Sequence, residues 1–168
     1  LVDERTWIRR LAIDLHGMNP SYESIDSALK LFQTTEDSQW DSVRSRLVDE
    51  YLASARYGER FARHWMDVVR YAESLTLRGF VFPDVWRYRN YLIEAYNQDR
   101  PFDGVIAEQI AGDLMNRQSP QGRAIEELQR RLVATTFWAI GDHNYEEQDK
   151  KQLEMDAVDE QIEVFGRT

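Results

Sequence analysis

Apolar positions recur along this chain at the three-to-four-residue spacing of helices, and the alternation that marks a strand is nearly absent. Trp7, Ile8, Leu11 and Leu15 fall on one face of a first helix, with Asp3 placed to cap its start and Gly17 to end it. After the Met18-Asn19-Pro20 turn, Ser21 caps a second helix carrying Tyr22, Ile25, Leu29 and Phe32. A third opens at Ser38, with Asp41 three residues on, and turns Trp40, Val43, Leu47 and Tyr51 inward.

The stretch "SARYGERFARHWMDVVRYAES" predicts the fourth helix, with Phe61, Ala62, Trp65, Val68, Val69 and Ala72 as its apolar stripe. Asp84 caps a fifth, "VWRYRNYLIEAYN". A short sixth starts at Asp103 and runs through Ile106, Ile110 and Leu114. A seventh, from about Arg123 to Ile140, carries Ile125, Leu128, Leu132 and Thr136 on one side, and the last spans about Gln148 to Phe165. "NRQSPQG" has the composition of a flexible loop. No internal repeat or low-complexity tract interrupts the series. The expected fold is therefore all-α, a single helical domain of about eight helices over residues 1–168. Starting at Leu1 and stopping just after the apolar helix end at Phe165, the chain is expected to be a segment truncated before a C-terminal continuation.

Composition narrows the function classes. With 42% hydrophobic and 12% aromatic residues in 168, the chain can bury a core without metals or disulfides. It has no cysteine, which excludes thiol catalysis, disulfides, thiolate zinc sites and covalent haem attachment within these residues. The formal charge is -9, and nine carboxylates against two lysines between Asp142 and Glu163 supply most of it. That balance argues against nucleic acid, whose phosphates require clustered Lys and Arg. No apolar run approaches the roughly 18 residues of a membrane span.

Candidate chemistry is concentrated on two helices. On the fourth, Arg60, His64, Asp67 and Tyr71 follow one another at i, i+4, i+7 and i+11, so that Asp67 can accept from His64 or Tyr71. His64 and Asp67 are the candidate catalytic pair, a carboxylate orienting an imidazole; the same arrangement serves equally as a hydrogen-bonded network at the edge of a helical core. On the last helix, Asp156, Asp159 and Glu163, with Asp149 and Glu160 adjoining, are the candidate ligands of a hard cation such as Ca²⁺. Their alternative is an acidic face paired with arginines such as Arg63, Arg70 or Arg87.

Smaller groupings lie elsewhere. "GDHNYEEQD" gathers Asp142, His143, Asn144, Tyr145 and Gln148 on a loop. "EQIAGDLM" sets Glu108, Gln109 and Asp113 around Gly112, a glycine whose helix cost suggests that another backbone comes close. Nothing matches a phosphate loop, a Ser-His-Asp order, a dinucleotide fingerprint or a His-Glu-x-x-His zinc helix.

The segments "RRLAIDLHGMNPS", "LVDEYLASARYGERFARHWMDVVRYAES", "WRYRNYLIEAYNQDRPFDGVIAEQIAGDLM", "LVATTFWAIG" and "NYEEQDKKQLEMDAVDEQIEVFGRT" resemble, in order and over nearly the whole chain, one family. It is the domain of unknown function that follows a cytochrome c-like module in large secreted proteins of planctomycete bacteria. The resemblance implies a periplasmic or secreted multidomain protein whose other domains are this one's partners. It also implies a Cys-x-x-Cys-His stretch beyond the counterpart of "DEQIEVFGRT", so that haem c belongs to the longer protein while this segment holds no cofactor. No catalytic residue carries over. Members are similar at Arg60, His64, Asp67, Arg70, Tyr71, Asp113, Asp156, Asp159 and Glu160, which marks the expected polar network as Arg60, His64, Asp67, Arg70, Tyr71, Asp113 and Glu160.

Three expectations follow. The first is a non-catalytic helical module that supports a haem-bearing segment and electron transfer, with a cytochrome partner. The second is a periplasmic enzyme acting on complex carbohydrate through His64, Asp67, Asp156 and Asp159. The third is a Ca²⁺-stabilised binding or scaffold module resting on the acidic last helix.

Overall fold

Asp3 accepts the Thr6 backbone N–H at 2.9 Å and so caps helix α1 (Glu4–His16), as its side chain predicts. At the other end Gly17 takes the left-handed conformation, φ 71°, and returns its N–H to the Ile13 carbonyl at 2.9 Å. These details belong to a computed structural model, which describes residues 2–75, 80–115, 123–140 and 149–167. The chain falls into two compact units, Leu1–Phe61 and Ala62–Thr168.

In the first unit α1 is followed by α2 (Tyr22–Thr34), capped by Ser21, and α3 (Trp40–Leu52). Ile8, Ala28, Phe32, Val43 and Leu47 form its core, with Trp7 and Trp40 set edge-on to Phe32 at centroid distances of 6.3 and 5.8 Å. Two expectations need correction. Tyr22, placed inward by spacing, stands 74% exposed at the first turn of α2. Ser38 does not cap α3: Asp37–Gln39 form a 3₁₀ turn, the helix starts at Trp40, and Asp41 pairs with Arg44 at 2.9 Å.

Helix α4 (Ala55–Val68) carries the chain across the division. The second unit then contains a minimal antiparallel pair, β1 (Ser74–Leu75) with β2 (Phe80–Val81), and α5 (Trp86–Asn97), α6 (Phe102–Ala111), α7 (Arg123–Ala134) and α8 (Lys150–Arg167). With eight α-helices among the described residues, the fold class is all-α, as the periodicity predicts. Its core joins Ala62, Trp65 and Val69 to Tyr88, Tyr91, Leu92 and Ala95 of α5, with Val105, Ala134, Phe137, Ile140 and Val164.

Helix α4 is shorter than the apolar stripe suggests. Arg70 adopts φ 55°, and the Tyr71 N–H bonds back to the Met66 carbonyl at 2.9 Å, a left-handed C-terminal cap made without glycine. Tyr71 therefore leaves the helical row of Arg60, His64 and Asp67. At α5, Asp84 does not cap: the N-cap position is Val85, and the Asp84 carboxylate receives Arg87 Nε at 3.1 Å.

Helices α6 and α7 bury faces other than the expected ones. In α6 the buried side chains are Val105, Glu108 and Gln109, while Ile110 and Leu114 are exposed. After α7 the chain tightens into a 3₁₀ turn, Thr135–Trp138, and Ala134, Phe137 and Ile140 are buried at its three-residue spacing. Ile125 and Leu132 consequently stay exposed. The Gly112 expectation holds: a Cβ there would lie 2.6 Å from the Arg131 carbonyl oxygen, so the α6 end and α7 meet backbone to backbone. The grouping Asp142 to Gln148 lies outside the described residues, and α8 begins at Lys150, with Asp149 Oδ1 accepting the Lys151 N–H at 2.9 Å.

Candidate functional site

In the second unit, polar chemistry is gathered around two buried side chains of α6, Glu108 and Gln109, which are 4% and 1% exposed. Neighbours in sequence, they point into adjoining networks. Gln109 Oε1 accepts from Trp65 Nε1 at 2.9 Å and from the Tyr88 hydroxyl, while its amide nitrogen donates to the Val105 carbonyl at 3.2 Å. Trp65 Nε1 also reaches the Tyr88 oxygen at 3.2 Å. The i, i+3, i+4, i+7 pattern of α5 turns Tyr88, Tyr91, Leu92 and Ala95 inward together, which delivers both tyrosine hydroxyls to α6.

Glu108 is the charged centre. Its Oε2 accepts from the Tyr91 hydroxyl at 2.9 Å and from Arg100 at 2.6 Å; its Oε1 accepts from Arg130 at 3.1 Å and lies 3.7 Å from Arg131 Nε. Arg131 also reaches Glu127 at 3.4 Å. Backbone geometry places Arg100: Asp99 takes φ 47°, and the Arg100 N–H bonds the Ala95 carbonyl at 3.0 Å, closing α5 with a second left-handed cap. The guanidinium lies over the Tyr91 ring, 5.6 Å from its centroid.

Burial alone would raise the Glu108 pKa. The hydrogen bonds from Arg100 and Tyr91 and the charges of Arg100 and Arg130 outweigh it and hold the carboxyl below the usual range. Tyr91 moves the other way, raised first by burial and then by the Glu108 charge beside it; burial raises Tyr88 as well. Glu108 is thus fixed as an anion and both phenols as neutral groups. Proton transfer near neutral pH calls for groups poised between their two forms, and none of these three is.

The residues singled out by sequence are distributed differently. His64 and Asp67 are exposed on α4. Arg70 pairs with Glu160 and, at 3.0 Å, with Glu163, so the arginine–acid pairing foreseen for the last helix is made through Arg70. The Tyr71 hydroxyl donates to Glu73 at 2.7 Å, and Glu73 also holds Arg89. Burial and that contact raise the Tyr71 pKa. Arg60 belongs to the first unit, where its Cδ would lie 2.8 Å from a Cβ on Gly17; Asp113 is half-buried. Asp156 receives Gln152 Nε2 at 2.6 Å, Asp159 is exposed, and Glu163 is shared between Arg70 and Arg167. Among the described residues no three His, Cys, Asp or Glu side chains converge as metal ligands.

The Glu108 network was only half visible in sequence. Glu108 and Gln109 interrupt the otherwise apolar run of α6, which is the signal of polar groups buried with partners, but Arg100, Arg130 and Arg131 come from other elements that spacing does not connect.

Each unit also has an open concavity. In the first, a groove of ≈ 750 Å³ runs past Ser24, Ser27, Leu47 and Glu50, with His16 Nε2 already engaged by the Tyr51 carbonyl at 2.9 Å. In the second, an apolar hollow of ≈ 450 Å³ is lined by Phe82, Pro83, Val85, Leu132 and Ile140.

No helix among the described residues is long and apolar enough to cross a membrane. Comparison with family models gives a match over residues 1–168 to PSCyt2, described as a protein of unknown function (DUF1549). No curated protein and no solved structure matches the chain.

Proposed function

Given that the chain belongs to the PSCyt2 family of proteins of unknown function, we propose that it works as a non-catalytic helical module of a larger exported, cytochrome c-like protein. In this reading it packs beside a haem-bearing segment and supports electron transfer without touching the chemistry. The observation that carries it is the state of Glu108. Glu108, a buried carboxylate of the second unit, is committed to three arginines and a tyrosine, an arrangement that organises helices. The absence of cysteine agrees with a haem attached elsewhere in the polypeptide. The carbohydrate-enzyme and Ca²⁺-scaffold readings draw on His64, Asp67, Asp156, Asp159 and Glu163, and no observation favours either.

The test is an absorption spectrum, before and after dithionite, of the longer natural protein made in a host that exports and matures c-type cytochromes. Sharp reduced bands that survive denaturation are expected. A colourless protein would remove the premise.

A further inference from the structure

Helix α8 holds its unit with one side and displays apolar groups on another. Val164 is its buried residue, Gln161 Nε2 donates to the Trp138 carbonyl at 3.0 Å, and Glu160 pairs with Arg70. These contacts occupy one face. Met155, Val158 and Ile162, at i, i+3 and i+7, form a second stripe that is 54%, 52% and 63% exposed. Phe165, half-exposed and stacked on Trp138 at 6.2 Å, continues it by three residues. This is the a/d spacing of a helix-pairing seam. Lys151, one turn earlier on the same line, closes it at the N-terminal end.

The flanks decide what fits. With Met155 as a and Val158 as d, the exposed acids Glu154 and Asp159 occupy the g and e positions on either side. A second copy of α8 laid parallel would set Glu154 against the partner copy's position 159, an acid against an acid, twice over. Laid antiparallel about the middle of the stripe, it would bring the two position-159 carboxylates together. Both self-pairings oppose like charges, whereas lysine or arginine at the facing positions would complement them. We propose that the α8 stripe is a docking seam for an amphipathic helix with basic flanks. This goes beyond the haem-neighbour reading and stands apart from it, because neither the seam nor its test involves haem.

The test uses the whole chain and two synthetic helical peptides of about three heptads, with identical apolar a and d residues and either Lys or Glu at every e and g position. Fluorescence anisotropy at low salt should show the Lys peptide binding at least about tenfold tighter than the Glu peptide. Ile162→Asp, with helicity checked by circular dichroism, should abolish binding, and the surface pair E154K/D159K should reverse the preference between peptides. Equal binding of both peptides, or none, would overturn the proposal even if a variant failed to fold, since that comparison needs only the natural chain. So would a dimer in sedimentation that Ile162→Asp converts to monomer, which would assign the stripe to a second copy. Binding to anionic vesicles with no peptide preference would assign it to a membrane surface and overturn the proposal as well.

Discussion

At Glu108 two large opposing effects meet, the desolvation of a carboxylate and its attraction to three guanidiniums. Removing the acid would leave Arg100, Arg130 and Arg131 crowded around an uncompensated space, and breaking a buried pair from one side costs about 3–5 kcal/mol. Glu108→Ala should therefore lose that much in urea unfolding, while Glu108→Gln, which keeps an acceptor for Tyr91, should lose less. The pH dependence has a definite sign. The folded carboxyl sits below its ordinary value of 4.5, so below that pH the folded state holds fewer protons than the unfolded one. Its contribution is complete above pH 4.5 and fades as pH falls through the folded value. The acid limb of stability against pH should be measurably shallower in Glu108→Gln; an unchanged limb would show that Glu108 is not held as its contacts indicate.

Elements are placed here by backbone approach as much as by apolar pattern, and two glycines of one segment separate the effects. Gly104, inside α6, has open space where a Cβ would go. Gly104→Ala should stabilise by the ordinary helix gain of about 0.5–1 kcal/mol. Gly112 faces the Arg131 backbone, and a methyl there would force α7 away, so Gly112→Ala should destabilise by about 1–3 kcal/mol despite the same change in propensity. Thermal unfolding of the two variants side by side reads the difference, and equal shifts would refute the close approach. One face was misread. Apolar spacing turns Ile106, Ile110 and Leu114 inward, yet α6 buries Glu108, held by Tyr91, Arg100 and Arg130, and Gln109, held by Trp65 and Tyr88. The end of α4 escaped for a related reason: an arginine in the left-handed region, paired with Glu160 and Glu163 of a distant helix, does the work that sequence reading assigns to glycine.

For the whole molecule, helix existence was legible and the polar wiring was not. Asp3, Gly17 and Ser21 act within a few residues of themselves, so their roles can be read locally. Arg100 to Glu108, Arg130 to Glu108 and Arg70 to Glu160 join residues 8, 22 and 90 positions apart, and only the packed chain selects those partners. Among the described residues the two hydrophobic clusters have none in common: Leu47 is 4% exposed in one and Leu92 is 1% exposed in the other. Truncating either to alanine should cost about 2–5 kcal/mol. Sites that share no packing partners add, so the double variant L47A/L92A should match the sum of the singles within about 0.5 kcal/mol. Urea unfolding of the four proteins, followed by both tryptophan fluorescence and circular dichroism, measures this directly. A coupling above about 1 kcal/mol, of either sign, would show that the two cores are not energetically independent.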